Sequence, residues 1–93
     1  MLGIDSLSLF LFVRGCGARS VEAIRAVRMV CAATDAPHSL RIIDVFNEPG
    51  LVEKYRVIAT PTLVTVDGNQ ERRLVGNLSE QNLRDHLVHT PAA

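Results

Sequence analysis

The spacing of apolar and polar positions changes several times along these 93 residues. Leu7-Ser8-Leu9-Phe10-Leu11-Phe12-Val13 is almost continuously apolar, the pattern of a strand covered on both faces. Gly15 and Gly17 break that run. From Ser20, Val21, Ile24, Val27 and Cys31 recur at helical spacing, while Glu22, Arg25, Arg28 and Asp35 fall on the other side. This predicts an amphipathic helix, with Ser20 capping its first free N–H groups and Asp35-Ala36-Pro37 ending it. Leu40-Arg41-Ile42-Ile43-Asp44-Val45 reads as a second strand. Asn47-Glu48-Pro49 then starts a short helix, with Asn47 as cap, Pro49 in the first turn and Leu51, Val52 and Tyr55 on its apolar side.

Thr60-Pro61 interrupts, and Thr62-Leu63-Val64-Thr65-Val66 resumes as a strand rich in β-branched residues. Asp67-Gly68 signals a hairpin, and Glu71-Arg72-Arg73-Leu74-Val75 returns. Gly76-Asn77 turns the chain into a last helix capped by Ser79, with Leu78 and Leu83 spaced as a hydrophobic staple and Leu87 continuing the inward face. The order β-α-β-α-β-β-α predicts an α/β fold on the thioredoxin-like plan, with a four-stranded mixed sheet. Residues 1–93 are expected to form one domain with its core over about 7–89, and Thr90-Pro91-Ala92-Ala93 to fray.

Composition narrows the function classes. Ten basic and ten acidic residues cancel, which removes the main electrostatic reason to expect nucleic acid. The run Leu7 to Val13 is far shorter than the ~20 residues of a membrane span, and no basic segment or small-residue cleavage site flanks it. Two cysteines, fifteen apart, give neither a disulfide framework nor a zinc pattern, so a reducing cytoplasm is the expected compartment.

Cys16 is the one candidate for redox chemistry. It lies between the first strand and the first helix, where the helix N-terminus, Arg14 and Arg19 would favour a thiolate. Thr60-Pro61-Thr62 resembles the loop that faces such a thiol in thioredoxin-like folds, where the proline is commonly cis. A dithiol cycle, however, needs a resolving cysteine where Arg19 stands, and Cys31 is expected in the core. A monothiol, glutathione-using activity of Cys16 is the alternative to a non-catalytic role. His38 is expected in a polar turn and His86 and His89 on the surface, with no residues spaced to complete a metal site. Asp44 is expected to cap the turn that follows it. Arg41, Arg56, Arg72 and Arg73 read either as a solvated face or as a partner site built on arginine forks.

Five segments carry a family resemblance: Leu9 to Val13 with Gly15, Ser20 and Val21; Ile43-Asp44-Val45; Asn47-Glu48-Pro49 with Leu51; Ala59-Thr60-Pro61-Thr62-Leu63-Val64; and Arg72-Arg73-Leu74-Val75-Gly76 with Leu78-Ser79. Over residues 7 to 80 the chain resembles KaiB, the small clock protein that binds the KaiC ATPase. A related module opens certain clock-output histidine kinases, and this chain is expected to stand without one. The resemblance implies a non-catalytic adaptor without cofactor or metal, whose partner is a KaiC-type ATPase. By position, Arg41, Arg56 and Arg73 match basic residues that contribute to that engagement.

The family also has a resting form with a rearranged C-terminal half that assembles into oligomers, and a thioredoxin-like form that engages the ATPase. Whether this chain is monomer or homo-oligomer stays open. Alongside Pro61, four positions bear on which fold it adopts. Asp67-Gly68 stands where the family has a proline-rich run, and Leu87 and His89 stand where it has a Gly-x-Asp stretch. Replacing Gly by Leu favours helix by roughly 1 kcal/mol. These departures imply a chain held in the thioredoxin-like form.

Overall fold

The computed structural model describes residues 7–35 and 38–88. In chain order the elements are β1 (Leu7–Val13), α1 (Ala18–Ala32), β2 (His38–Asp44), α2 (Pro49–Lys54), β3 (Thr62–Asp67), β4 (Gln70–Val75) and α3 (Glu80–Val88). The sheet order is β2-β1-β3-β4, with β1 parallel to β2 and antiparallel to β3, and β3 antiparallel to β4. This is the predicted mixed sheet. Its central strand, β1, is the apolar run, as a strand paired on both edges and covered on both faces requires.

The two faces follow the period of two along β1. Leu9, Leu11 and Val13 pack into one cluster with Ala23, Val27, Val30 and Cys31 of α1 and Leu83 of α3. Phe12, Ile43 and Val64 form the second cluster, covered by Leu51, Val52 and Tyr55 of the α2 segment. Helices α1 and α3 therefore lie on one face and α2 on the other. Tyr55 stacks on Phe10 with ring centroids 5.2 Å apart, which fixes the C-terminal end of α2 over the sheet. Leu78 and Leu83, the expected staple, are both buried, and Ser79 Oγ accepts the Asn82 N–H at 3.1 Å as a cap should.

Several local expectations are corrected. Ser20 does not cap α1: the cap position is Gly17, and the Ser20 hydroxyl is buried, donating to the Arg14 carbonyl at 2.9 Å. The inward stripe therefore runs Ser20, Ala23, Val27, Val30 and Cys31, and Val21 points out at 56% exposure. Glu48, not Asn47, holds the cap position of α2. His38 begins β2, opposite Leu7, rather than lying in a turn. The hairpin falls one residue later than Asp67-Gly68: Asp67 pairs with Gln70, and Gly68 and Asn69 make the turn. Gly68 takes φ 62 and Asn69 does not have positive φ, the pattern of a type II′ turn, which suits glycine first.

Candidate functional site

The strand register places two arginines in one row. Arg41 of β2 is opposite Phe10, Phe10 is opposite Val64, and Val64 is opposite Arg73 of β4. Paired residues share a face, so both arginines stand on the α2 face, at the two edges of the sheet. Arg41 Nη2 reaches Glu48 at the start of α2, 2.8 Å from its Oε2. Arg73 Nη2 donates to the Tyr55 carbonyl at 2.7 Å and to Glu71 Oε2 at 2.9 Å, while its Nη1 donates to the Arg56 carbonyl at 3.3 Å. The two arginines thus tie down opposite ends of the α2 segment.

Arg56 lies just beyond α2 with φ 52, a conformation that reverses the chain at the helix end. It is exposed, and among the described residues its side chain forms no ion pair. Of the three arginines proposed from the sequence, Arg56 is therefore the uncommitted cation, while Arg41 and Arg73 spend their forks within the chain. Tyr55, expected on the apolar side of the short helix, contributes a ring to packing and a carbonyl to Arg73.

Arg72 points to the opposite face. Its Nη2 donates to the His86 carbonyl at 2.7 Å, and His86 Nε2 lies 2.8 Å from Thr65 Oγ1. His86 is buried at 8% exposure, against the expectation of a surface histidine. Burial and the neighbouring Arg72 charge lower its pKa from the ordinary 6.5. The signal was present in the sequence: His86 lies three residues after Leu83, on the inward stripe of α3. His89 lies outside the described residues, as does the expected frayed tail. Leu87 is half-buried against the α1–α3 core.

Cys16 is an exposed free thiol and Cys31 is buried, so no second accessible thiol stands among the described residues. Burial also raises the pKa of Cys31. Thr60-Pro61 is cis, as the loop comparison led us to expect. Asp44 does cap its turn, and does more. Its Oδ1 accepts the Phe46 N–H at 3.0 Å and the Gly15 N–H at 3.3 Å, joining the loops after β1 and β2. No helix among the described residues is long and apolar enough to cross a membrane.

These features define a thioredoxin-like domain whose loop cysteine, Cys16, has no second accessible thiol among the described residues. The fold is shared with the thioredoxin Deadhead of Drosophila melanogaster, with TM-score 0.78 at 22% identity over 90% of this chain and 80% of that one. The N-terminal domain of SasA from Synechococcus elongatus matches with TM-score 0.76 and 30% identity over 100% of this chain and 93% of that domain. The KaiB domain family model matches residues 10–90. The circadian clock oscillator protein KaiB of Synechococcus elongatus is 34% identical over 74 residues, covering 78% of this chain and 72% of the relative. Its counterpart in Acaryochloris marina is also 34% identical, over 78% of this chain and 71% of the relative. The chain belongs to the KaiB family.

Proposed function

We propose that this chain is a non-catalytic adaptor of the KaiB type, acting in the cytoplasm. It binds a KaiC-type ATPase through the α2 face and alters what else the ATPase engages. Its curated relatives are clock oscillator proteins, which supports a clock protein-interaction role. The observation that carries the more specific reading is the basic rim. Arg41 and Arg73 share one cross-sheet row on the α2 face, and Arg56, exposed and forming no ion pair with a described residue, follows the end of α2. An unpaired exposed guanidinium offers a bidentate fork to a carboxylate without first breaking an internal contact.

The test is pull-down of a purified KaiC-type ATPase ring by the tagged chain and by Arg56→Glu. The wild type should retain the ring and Arg56→Glu should lose it, with its circular dichroism spectrum unchanged. Equal retention by both would remove Arg56 from the interface. Absence of retention by either would remove the ATPase as partner.

A further inference from the structure

Arg41 and Arg73 stand at the two ends of one cross-sheet row, but they are held differently. Arg73 donates from both terminal nitrogens, to the Tyr55 and Arg56 carbonyls and to Glu71. Arg41 makes a single hydrogen bond, from Nη2 to Glu48 Oε2 at 2.8 Å, and its other donors have no partner among the described residues. Both side chains of that pair are well exposed, 55% for Arg41 and 38% for Glu48. The contact uses one branch of a guanidinium that can take both oxygens of a carboxylate side by side. A better-placed carboxylate can therefore displace it.

The Glu48 carboxylate has no part in starting the helix. Glu48 occupies the cap position of α2, yet no side-chain cap hydrogen bond forms there. Its carbonyl serves the helix start instead, accepting the Leu51 N–H at 3.1 Å and the Val52 N–H at 3.2 Å. Among the described residues the carboxylate is bonded only to Arg41. Glutamine at this position removes the charge and keeps the backbone that begins α2.

We propose that Glu48 sets the specificity of the α2 face, by competing with a carboxylate of the partner for Arg41. This rests on binding through the α2 face as proposed above. Binding at this end of the row is an exchange: the Arg41–Glu48 hydrogen bond opens, and a partner carboxylate takes both branches of the guanidinium. A single neutral acceptor, such as an amide or a hydroxyl, does no better than Glu48 and leaves Arg41 where it is. Arg56 has no such internal competitor and attracts acidic groups without this selection. The exchange replaces one ion pair by another, so it responds little to salt. Without the Glu48 charge, binding forms a net new pair, which salt opposes.

The experiment measures the dissociation constant of a purified KaiC-type ATPase ring for the wild-type chain, Glu48→Gln, Arg41→Gln and the double variant, at low and at high salt. An exposed ion pair is a weak restraint, so Glu48→Gln should bind about two- to fivefold more tightly at low salt. That gain should shrink at high salt and vanish in the Arg41→Gln background. The amide spectrum of Glu48→Gln should change only around residues 41 and 48. Equal or weaker binding by Glu48→Gln, with the ring still held by the wild type, would overturn the proposal and leave the α2 face standing. A gain that persists without Arg41 would overturn it too, because Glu48 would then act by repelling the partner directly. So would amide shifts reaching through α2 to Tyr55, which would assign the gain to a rearranged helix. Binding by none of the four chains would remove the ATPase reading, and the role of Glu48 with it.

Discussion

Arg73 holds the backbone of Arg56. Its guanidinium leaves β4, crosses to the end of α2, and donates to the carbonyls of Tyr55 and Arg56 at 2.7 and 3.3 Å. The fork satisfies carbonyls that a helix terminus leaves without partners, at the residue where φ turns to 52. A lysine at 73 keeps the charge but offers a point donor in place of the fork. Arg73→Lys should therefore weaken ATPase retention even though the charge is kept, while Arg73→Met weakens it more. Because Arg73 is partly exposed, Arg73→Met should cost only about 1 kcal/mol in urea unfolding. In a double-mutant cycle, Arg73→Met added to Arg56→Ala should cost little further binding, because Arg73 acts through Arg56. Full additivity would show instead that Arg73 meets the partner itself.

Asp44 joins two loops through one carboxylate oxygen, accepting N–H groups from Gly15 and Phe46. Gly15 has φ 65, and its turn redirects the chain from β1 toward α1. Hydrogen bonds to a charged acceptor contribute roughly 1.5–3 kcal/mol when well shielded, and less in this partly exposed site. Asp44→Ala should lower stability by about 1–2 kcal/mol, and Asp44→Asn by less because its amide oxygen still accepts. Amide exchange at Gly15 and Phe46 should speed up in Asp44→Ala while β3 remains protected. Uniform loss of protection across the sheet would show that Asp44 supports the whole fold rather than the two loops.

His86 links stability to pH. Its described partners are the Thr65 hydroxyl on β3 and, through its carbonyl and by charge, the Arg72 guanidinium on β4. Its folded pKa lies below the unfolded value, so the unfolded chain binds more protons between the two. Stability is complete above the unfolded value, falls as pH drops through it, and levels off below the folded pKa. The urea midpoint should accordingly begin to fall as pH drops through the ordinary histidine value of 6.5, above the range of ordinary carboxylate titration. His86→Gln, which still reaches Thr65, should flatten that slope. An unchanged slope in the variant would assign the pH dependence to the other histidines.

The order of elements and the sheet were legible because each rests on a strong local signal. The continuous apolar run of β1, the β-branched run of β3 followed by Asp67-Gly68, and Ser79 ahead of a helical stripe leave little choice of structure. Val21 was misread because periodicity alone gives two neighbouring phases for α1. The deciding contact, Ser20 to the Arg14 carbonyl, turns a polar residue inward and is not visible in a hydropathy pattern. The arginines were legible as residues but not as roles. Their assignments follow from which carbonyl or carboxylate each reaches, and those partners come from distant segments: Glu48 for Arg41, Tyr55 and Arg56 for Arg73, His86 for Arg72. His86 itself was set aside because polar residue types are mostly exposed. Its burial depends on Thr65, 21 residues away in the chain.

Leu87 is the position through which the chain's choice between the two family folds is most directly testable. It packs against the α1–α3 core from the helix that a rearranged C-terminal half would have to release. Leu87→Gly removes about 1 kcal/mol of helix propensity and part of the roughly 1.5–3 kcal/mol of a buried leucine. A total near 2 kcal/mol is comparable with the few-kcal/mol gap between two packings of one sequence. The wild-type chain is expected to give one set of amide signals over residues 50 to 90. Leu87→Gly should give a second set in slow exchange, or a population that sediments as an oligomer. Two sets already present in the wild type would mean that Leu87 does not hold the fold. Simple unfolding of Leu87→Gly without a second folded set would mean that this sequence has no alternative packing within reach, and that its helix α3 serves stability alone.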